Sequence, residues 1–132
     1  MDRLFVPMCR RQFLLFQSGS KTFEVRQRGR QWTRQFVTQG RQVEIRLGYS
    51  KSYKPLWGTV GLVYEASSIN ELFDKVPFDK VMPVAGNLET AKMFARHEFF
   101  FGDQCHIEGL EAFNSTKIDL IAFEVIMNKV NP

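Results

Sequence analysis

Residues 19–26 read Gly-Ser-Lys-Thr-Phe-Glu-Val-Arg, and this stretch decides the predicted fold. Glycine commonly ends a helix, so the stretch is expected to begin where a helix gives way to a strand. Side chains alternate along a strand, which divides residues 22–28 between two faces. One face is apolar, with Phe23 and Val25, and the other is polar: Thr22, Glu24, Arg26 and Arg28.

Lys21 has the opposite parity to Glu24, but it follows the turn at Gly19, where alternation does not yet apply. Its ammonium group can therefore reach the same side of the sheet as Glu24. Charges of both signs around an apolar strand pattern are typical of a binding cleft. The alternative is an ion-paired strand end that holds the sheet together and binds nothing.

Outward from this stretch, apolar runs and alternating patterns predict strands, while capping residues predict short helices. The predicted helices cover residues 10–18, residues 68–76 behind a capping box of Ser68 and Glu71, and residues 88–99 behind the cap Asn87. The other predicted strands are 4–8, 43–49, 59–66 and 118–127, the last of them central and buried on both faces. This order predicts one domain, 1–132, of the α/β (α+β) class, with a curved or barrel-like mixed sheet flanked by short helices.

The third predicted helix carries an apolar stripe that ends in a carboxylate. Leu88, Ala91, Ala95 and Glu98 recur at intervals of three, four and three, which places them on one face. Glu98 is therefore expected to point toward the core or a cleft. The alternative is a helix end from which the side chain reaches solvent.

The net charge of +4 is the sum of a basic part that ends at Trp57 and an acidic part that follows it. Residues 1–57 hold 12 Lys and Arg against 3 Asp and Glu, a net charge of +9, and residues 58–132 hold 6 against 11, a net charge of −5. Cations with interspersed aromatic residues suit a nucleic-acid or nucleotide ligand, although a solvated basic face has the same composition. A turn is expected to contribute phosphate contacts through Tyr49, Lys51, Tyr53 and Lys54.

Several classes of protein are excluded. No apolar run approaches the roughly 20 residues of a membrane helix, and the first residues lack the pattern of a secretory signal, so a cytoplasmic protein is expected. No metal or other cofactor is predicted, because four potential ligands lack the paired spacing of a metal site: Cys9, His97, Cys105 and His106. Both cysteines are expected to be reduced.

The chain resembles the ASCH domain, a relative of the PUA-like RNA-binding barrels. The hallmark of that family is Gly-x-Lys-x-x-Glu-x-Arg between a first helix and a strand, and residues 19–26 match it at all four positions. A later family helix carries a Glu after an Ala-x-x step, which Ala95 to Glu98 reproduces. The resemblance implies a small PUA-like, partly open β-barrel whose cleft holds RNA or a nucleotide.

Some small bacterial ASCH proteins are amidohydrolases that remove the acetyl group of N4-acetylcytidine with a Lys, a Thr and a Glu. The resemblance assigns the first role to Lys21 and the last to Glu98, but Glu24 stands where those enzymes have the Thr. A carboxylate cannot replace a hydroxyl nucleophile directly. Thr22 lies two residues earlier on the same strand face, so its reach along the strand differs by nearly 7 Å.

The functional prediction is therefore a protein that binds single-stranded RNA or a modified nucleoside or nucleotide. Lys21, Glu24 and Glu98 are the candidate catalytic residues, and the candidate ligand-binding residues are Arg26, Thr22, Arg28, Tyr49, Lys51, Tyr53 and Lys54. The alternatives are a nucleoside amidohydrolase and a single-strand ribonuclease that uses the basic turn. The sequence leaves open whether the cleft is catalytic, which base it holds and how many copies assemble.

Overall fold

The computed structural model describes residues 2–101 and 110–129, which form a five-stranded half-barrel sheet with four short α-helices. The strands are β1 (Leu4–Met8), β2 (Phe23–Gln27), β3 (Gln42–Leu47), β4 (Leu56–Ala66) and β5 (Leu120–Met127). The helices are α1 (Arg10–Ser18), α2 (Ile69–Lys75), α3 (Phe78–Val81) and α4 (Leu88–Arg96). In this part of the chain, every helix is too short or too polar to pass through a lipid bilayer.

The strand order in the sheet is β1-β3-β4-β5-β2. Strand β1 runs parallel to β3, and the other three pairings are antiparallel. The apolar run that predicts a central strand does form one, because β5 lies between β4 and β2. The two edges are β1 and β2, so the charged stretch of residues 19–26 runs into an edge strand of the half-barrel.

Strand β4 bends where its register with β5 shifts between Val60 and Val63. Such a bulge adds twist and curls a sheet. Two glycines let β5 approach closely: a Cβ on Gly58 would lie 2.6 Å from the backbone oxygen of Ile126, and a Cβ on Gly61 would lie 2.3 Å from Oε1 of Glu124. The curvature of the half-barrel is thus built into β4.

The two faces of the sheet carry separate apolar clusters, and β5 contributes to both by alternation. Ile121 and Phe123 belong to the first cluster, together with Phe13 and Phe16 of α1. The second cluster lies under α2 and α3 and contains Phe23, Val25, Leu72, Val81, Leu120 and Ala122. The predicted apolar face of β2 therefore packs against the helices, and its polar face turns toward the side that α1 covers.

Capping fixes the helix boundaries where the sequence predicts them. Gly19 adopts a left-handed backbone with φ of 83° and donates its N–H to the Phe16 carbonyl at 3.1 Å. Ser68 Oγ accepts from the Glu71 N–H at 3.0 Å. The end of α4 differs from the prediction, because the α-helix stops at Arg96 and the chain continues as a π-helical turn, His97–Phe101.

Candidate functional site

A pocket of about 810 Å³ lies between α1, β2 and the segment from α3 to the π turn. Its volume falls in the range of roughly 300 to 1,000 Å³ that is usual for small-molecule sites. Lys21, Glu24, Arg26 and Glu98 all line it. The structure thus brings together the four residues that the ASCH-type pattern singles out.

The register of β2 turns its charged side chains into this pocket. In the antiparallel pairing with β5, Glu24 is opposite Phe123 and Arg26 is opposite Ile121. Residues that pair directly across two strands share a face, so both charged side chains lie on the side of the first apolar cluster. Glu24 is only 7% exposed there, and a carboxylate this deeply buried needs hydrogen-bonding partners.

Its partners are Lys21 and Arg26, and we call these three residues the buried ion triad. Lys21 Nζ lies 3.4 Å from Glu24 Oε1. Arg26 donates to Glu24 Oε2 from Nε at 3.1 Å and from Nη2 at 2.9 Å. Because both carboxylate oxygens are engaged by cations, Glu24 is held as an acceptor and is poorly placed to act as a nucleophile.

Lys21 reaches the triad because the chain turns at Gly19 immediately before it. The ammonium group lies 5.6 Å from the centre of the Phe16 ring and donates to the Val81 carbonyl at 2.6 Å. Lys21 is only 4% exposed. An ammonium has three N–H donors; Val81 accepts from one and the ion pair with Glu24 engages at most one more, so at least one donor remains for a ligand in the pocket.

Arg26 links the two edges of the sheet across the pocket floor. Its Nη2 also donates to the Pro7 carbonyl of β1 at 2.7 Å. Its guanidinium lies 4.6 Å from the centre of the Trp32 ring, which in turn stacks on Phe123 at 5.9 Å. This arrangement uses the planar, forked geometry of arginine, which lysine does not have.

Glu98 enters the pocket from the π turn. A π turn adds backbone per turn and redirects the side chains that follow a regular helix, and such turns are frequent at functional sites. Burial within the pocket raises the pKa of Glu98, and the charge of Glu24 raises it further, while Lys21 and Arg26 act in the opposite direction. The residue as a whole remains exposed to solvent through the pocket mouth, so this enclosure is partial.

The other walls come from residues that no local pattern identifies. Phe94 and Met93 supply apolar surface, and Arg11 and His97 supply polar groups. Gln12 also lines the pocket, and its buried side-chain oxygen has no hydrogen-bond partner among the residues that the structure describes. These residues come together only because α1 lies across the pocket from α4 and the π turn, which explains why spacing along the chain gives no signal for them.

The remaining predicted ligand-binding residues lie elsewhere. Arg28 forms an ion pair with Glu65 at 2.7 Å on the exposed end of β2. Thr22 precedes β2, and its backbone N–H donates to Lys80 at 3.0 Å. The pocket does not include these two or the four exposed residues of the predicted phosphate-binding turn: Tyr49, Lys51, Tyr53 and Lys54.

Two of the four potential metal ligands fall within the part of the chain that the structure describes. Cys9 and His97 line the pocket, whereas Cys105 and His106 lie outside the described residues. Within residues 2–101 and 110–129, no group of three or more His, Cys, Asp and Glu side chains is arranged to hold a metal ion.

Comparisons with solved structures show the same fold in two other proteins. The crystal structure of the hypothetical protein PH0355 has a TM-score of 0.66 at 16% identity, over 96% of this chain and 100% of that chain. The solution structure of PF0455 from Pyrococcus furiosus has a TM-score of 0.60 at 15% identity, over 98% and 100%. The crystal structure of ASCH from Zymomonas mobilis is also among the matches, with a TM-score of 0.47 at 10% identity, over 92% and 64%. No protein-family model matches this chain, and neither does any curated protein.

Proposed function

We propose that this chain is an ASCH-type domain that binds a nucleobase, in single-stranded RNA or in a modified nucleoside, within the pocket beside Glu98. The observation that carries the proposal is that the buried ion triad forms a wall of an open pocket. Ion pairs taken out of water contribute little net stability. A buried triad that faces an empty space is therefore better explained by recognition of a ligand than by stabilisation of the fold.

The pocket offers what a planar heterocycle requires. Phe94 and Met93 give an apolar surface on which the faces of a ring can pack. Lys21 has a donor to spare, and the Gln12 oxygen needs a donor from outside the protein. Glu98 accepts hydrogen bonds when ionised and donates one when protonated, and its raised pKa brings the two forms closer in free energy. A base edge with adjacent donors and acceptors matches this set.

The surroundings of the pocket support an anionic ligand. Arg11 lines it near the start of α1, a helix whose first turn contains no acidic residue. Residues 1–57 carry a net charge of +9, and two of their three acids are buried in ion pairs: Glu24 and Glu44. The phosphate groups of the nucleotide that carries the base would meet cations with little competing negative charge.

The test is calorimetric titration with adenosine, cytidine, guanosine, uridine and N4-acetylcytidine. We expect one of these nucleosides to bind and Glu98→Gln to weaken its binding roughly tenfold, which corresponds to the loss of one hydrogen bond from a charged group. Glu89→Gln is the matched control, since it removes an exposed carboxylate from the helix that precedes the π turn, outside the pocket. Equal affinities of the two variants, or no binding by any of the five nucleosides, would contradict the proposal.

A second candidate function is hydrolysis of a nucleoside amide in the same pocket, and the raised pKa of Glu98 favours it. A carboxylate with a raised pKa is a better general base, and here it would take a proton from the attacking water while Lys21 stabilises the oxyanion. The protonated Glu98 would then give that proton to the amide nitrogen as the C–N bond breaks, which releases acetate and the amine of the nucleoside. Such a mechanism differs from that of the acetylcytidine amidohydrolases, because Glu24 is engaged in ion pairs where those enzymes have their Thr.

Release of acetate from N4-acetylcytidine measures this activity directly. We expect Glu98→Gln to lower the rate by roughly 10²-fold or more if Glu98 is the base. If the unmodified protein binds N4-acetylcytidine but releases no acetate, hydrolysis is rejected and the chain is a binding module.

A further inference from the structure

A second cavity, of about 290 Å³, lies along the side of α1 that faces away from the pocket. Arg10, Phe13, Leu14 and Gln17 line it at helical spacings of three, four and seven residues, so they form one face of the helix. The pocket is lined instead by Arg11 and Gln12, which lie roughly 100° to 200° around the helix from Arg10. We call the second cavity the α1 groove. Helix α1 is therefore the ridge between the pocket and the α1 groove.

The α1 groove has an apolar floor and a cationic rim. Phe13 is buried at its base, and Leu14 is 45% exposed. Tyr53 and Lys54, from the turn between β3 and β4, close the other side, and Tyr53 is 49% exposed. Among the described residues, no carboxylate lines the α1 groove. A ligand complementary to it combines an apolar, flat part with negative charge.

We propose that the α1 groove is a second base-binding subsite, so that the ligand of this protein is a single strand of nucleic acid that spans α1. This inference rests on the proposed function of the pocket. One base lies in the pocket, a second packs against Tyr53 in the α1 groove, and the phosphates between them pass over Arg10 and Arg11 at the start of the helix. A tyrosine with an adjacent lysine provides the stacking surface and the phosphate contact that single-strand binding uses.

A nucleic-acid strand fits better than an acidic peptide because both cavities combine apolar surface with cationic side chains. Each has apolar walls of a size suited to a small ring, and consecutive arginines flank the ridge between them. Each nucleotide of a nucleic-acid strand contributes a flat apolar base and an anionic phosphate. This alternation matches the order on the protein surface, where the two arginines lie between the pocket and the α1 groove. An acidic peptide has no corresponding repeat of flat apolar groups.

The test compares a six-nucleotide single-stranded RNA with the nucleoside of the same base, using the nucleoside that binds best. We expect the unmodified protein to bind the RNA more tightly than the nucleoside. Tyr53→Leu keeps the apolar surface but removes the ring, and we expect it to reduce this advantage of RNA over nucleoside roughly tenfold. Tyr53→Phe keeps the ring and should retain the advantage.

Lysine substitutions test the phosphate contact through salt dependence. For single strands, each phosphate contact contributes about 0.7 to the slope of log affinity against log salt concentration, so Lys54→Ala should lower that slope by about 0.7. Lys117→Ala is the matched control, because Lys117 is exposed but lines neither the pocket nor the α1 groove. It should leave the slope unchanged.

The results separate the two proposals. If Glu98→Gln weakens nucleoside binding while Tyr53→Leu leaves the RNA advantage intact, the pocket functions as proposed and the second subsite is rejected. If a poly-glutamate peptide competes with RNA for the unmodified protein and binds Tyr53→Leu equally well, the α1 groove belongs to an acidic partner and the inference is overturned. If neither nucleosides nor RNA bind, both proposals fail.

Discussion

At the scale of single residues, the carboxyl group of Glu98 is the most informative, because its environment couples protonation to folding. Its pKa lies above the ordinary value of 4.5, first because of burial and then because of Glu24. The folded protein therefore holds this proton more tightly than the unfolded chain does. The resulting stability is fully present below the ordinary pKa and is lost as the pH rises through the raised pKa.

Glu98→Gln should consequently make the protein more stable at neutral pH, because an amide avoids the cost of ionisation inside the pocket. The gain should be below about 1 kcal/mol, since Glu98 is exposed enough for solvent to screen it. It should shrink as the pH falls through the raised pKa of Glu98 and vanish below the ordinary pKa of a glutamate. Urea unfolding of both proteins across this pH range measures the difference.

Glu89→Gln serves as the control and should act with the opposite sign at neutral pH. Glu89 lies in the first turn of α4, where a negative charge is favourable to the helix dipole, so its removal should destabilise slightly. A stability gain for Glu98→Gln that does not change with pH would show that the ionised carboxylate carries no penalty in the pocket.

The candidate site was only partly predictable from sequence at this scale. Alternation along β2 correctly placed Glu24 and Arg26 on one face, because this rule needs only local geometry. The hydrogen bond from Lys21 to Val81 joins residues 60 positions apart, and the bond from Arg26 to Pro7 joins opposite edges of the sheet. No local pattern carries information of this kind.

At the scale of secondary-structure elements, strand β4 depends on two glycines that face different obstacles. A Cβ on Gly58 would meet the backbone oxygen of Ile126 at 2.6 Å, and backbone cannot move without disturbing the ladder. A Cβ on Gly61 would meet the end of the Glu124 side chain, which can rotate away. The main loss on rotation is the 3.2 Å bond that Glu124 accepts from the Leu62 N–H.

Gly58→Ala should therefore destabilise the protein by about 1 to 3 kcal/mol, the usual cost of overpacking a filled site. Gly61→Ala should cost less, about 1 kcal/mol for the hydrogen bond. Urea denaturation of the two variants beside the unmodified protein measures both values. If Gly61→Ala were the more destabilising substitution, the backbone of β5 at Ile126 would move more easily than the end of the Glu124 side chain.

Element types followed from sequence more reliably than element ends. Glycine and capping side chains act within one helical turn, so the end of α1 at Gly19 and the start of α2 at Ser68 were predicted correctly. The change from α-helix to π turn after Arg96 was missed. In a π turn each backbone hydrogen bond spans five residues, whereas in an α-helix it spans four. The apolar stripe covers too few residues for its periodicity to reveal this change.

At the scale of the whole molecule, Arg26 connects β1 and β2, the two edges of the half-barrel. Arg26→Lys should destabilise the protein by about 2 kcal/mol, because one ammonium cannot reproduce the forked bonds to Glu24 and Pro7. Hydrogen exchange of the β1 amides should also become faster. Both effects follow from loss of the same bridge across the pocket floor.

Arg28→Lys is the matched control, because Arg28 lies two residues away in an exposed ion pair with Glu65. Exposed pairs of this kind contribute roughly 0 to 1 kcal/mol. Equal destabilisation by the two substitutions would show that the contact with Pro7 contributes nothing to closing the sheet.

The position of β5 in the strand order has a consequence for biosynthesis. Among the described strands, β2 pairs only with β5, although nearly a hundred residues separate the two along the chain. Once β1 through β4 have been translated, all three residues of the triad are therefore present in the nascent chain. Strand β5, with which β2 pairs, has not yet been made. Until residues 120–127 emerge from the exit tunnel, Phe23 and Val25 lack Leu120 and Ala122, two members of the second apolar cluster, and remain accessible to chaperones during that interval.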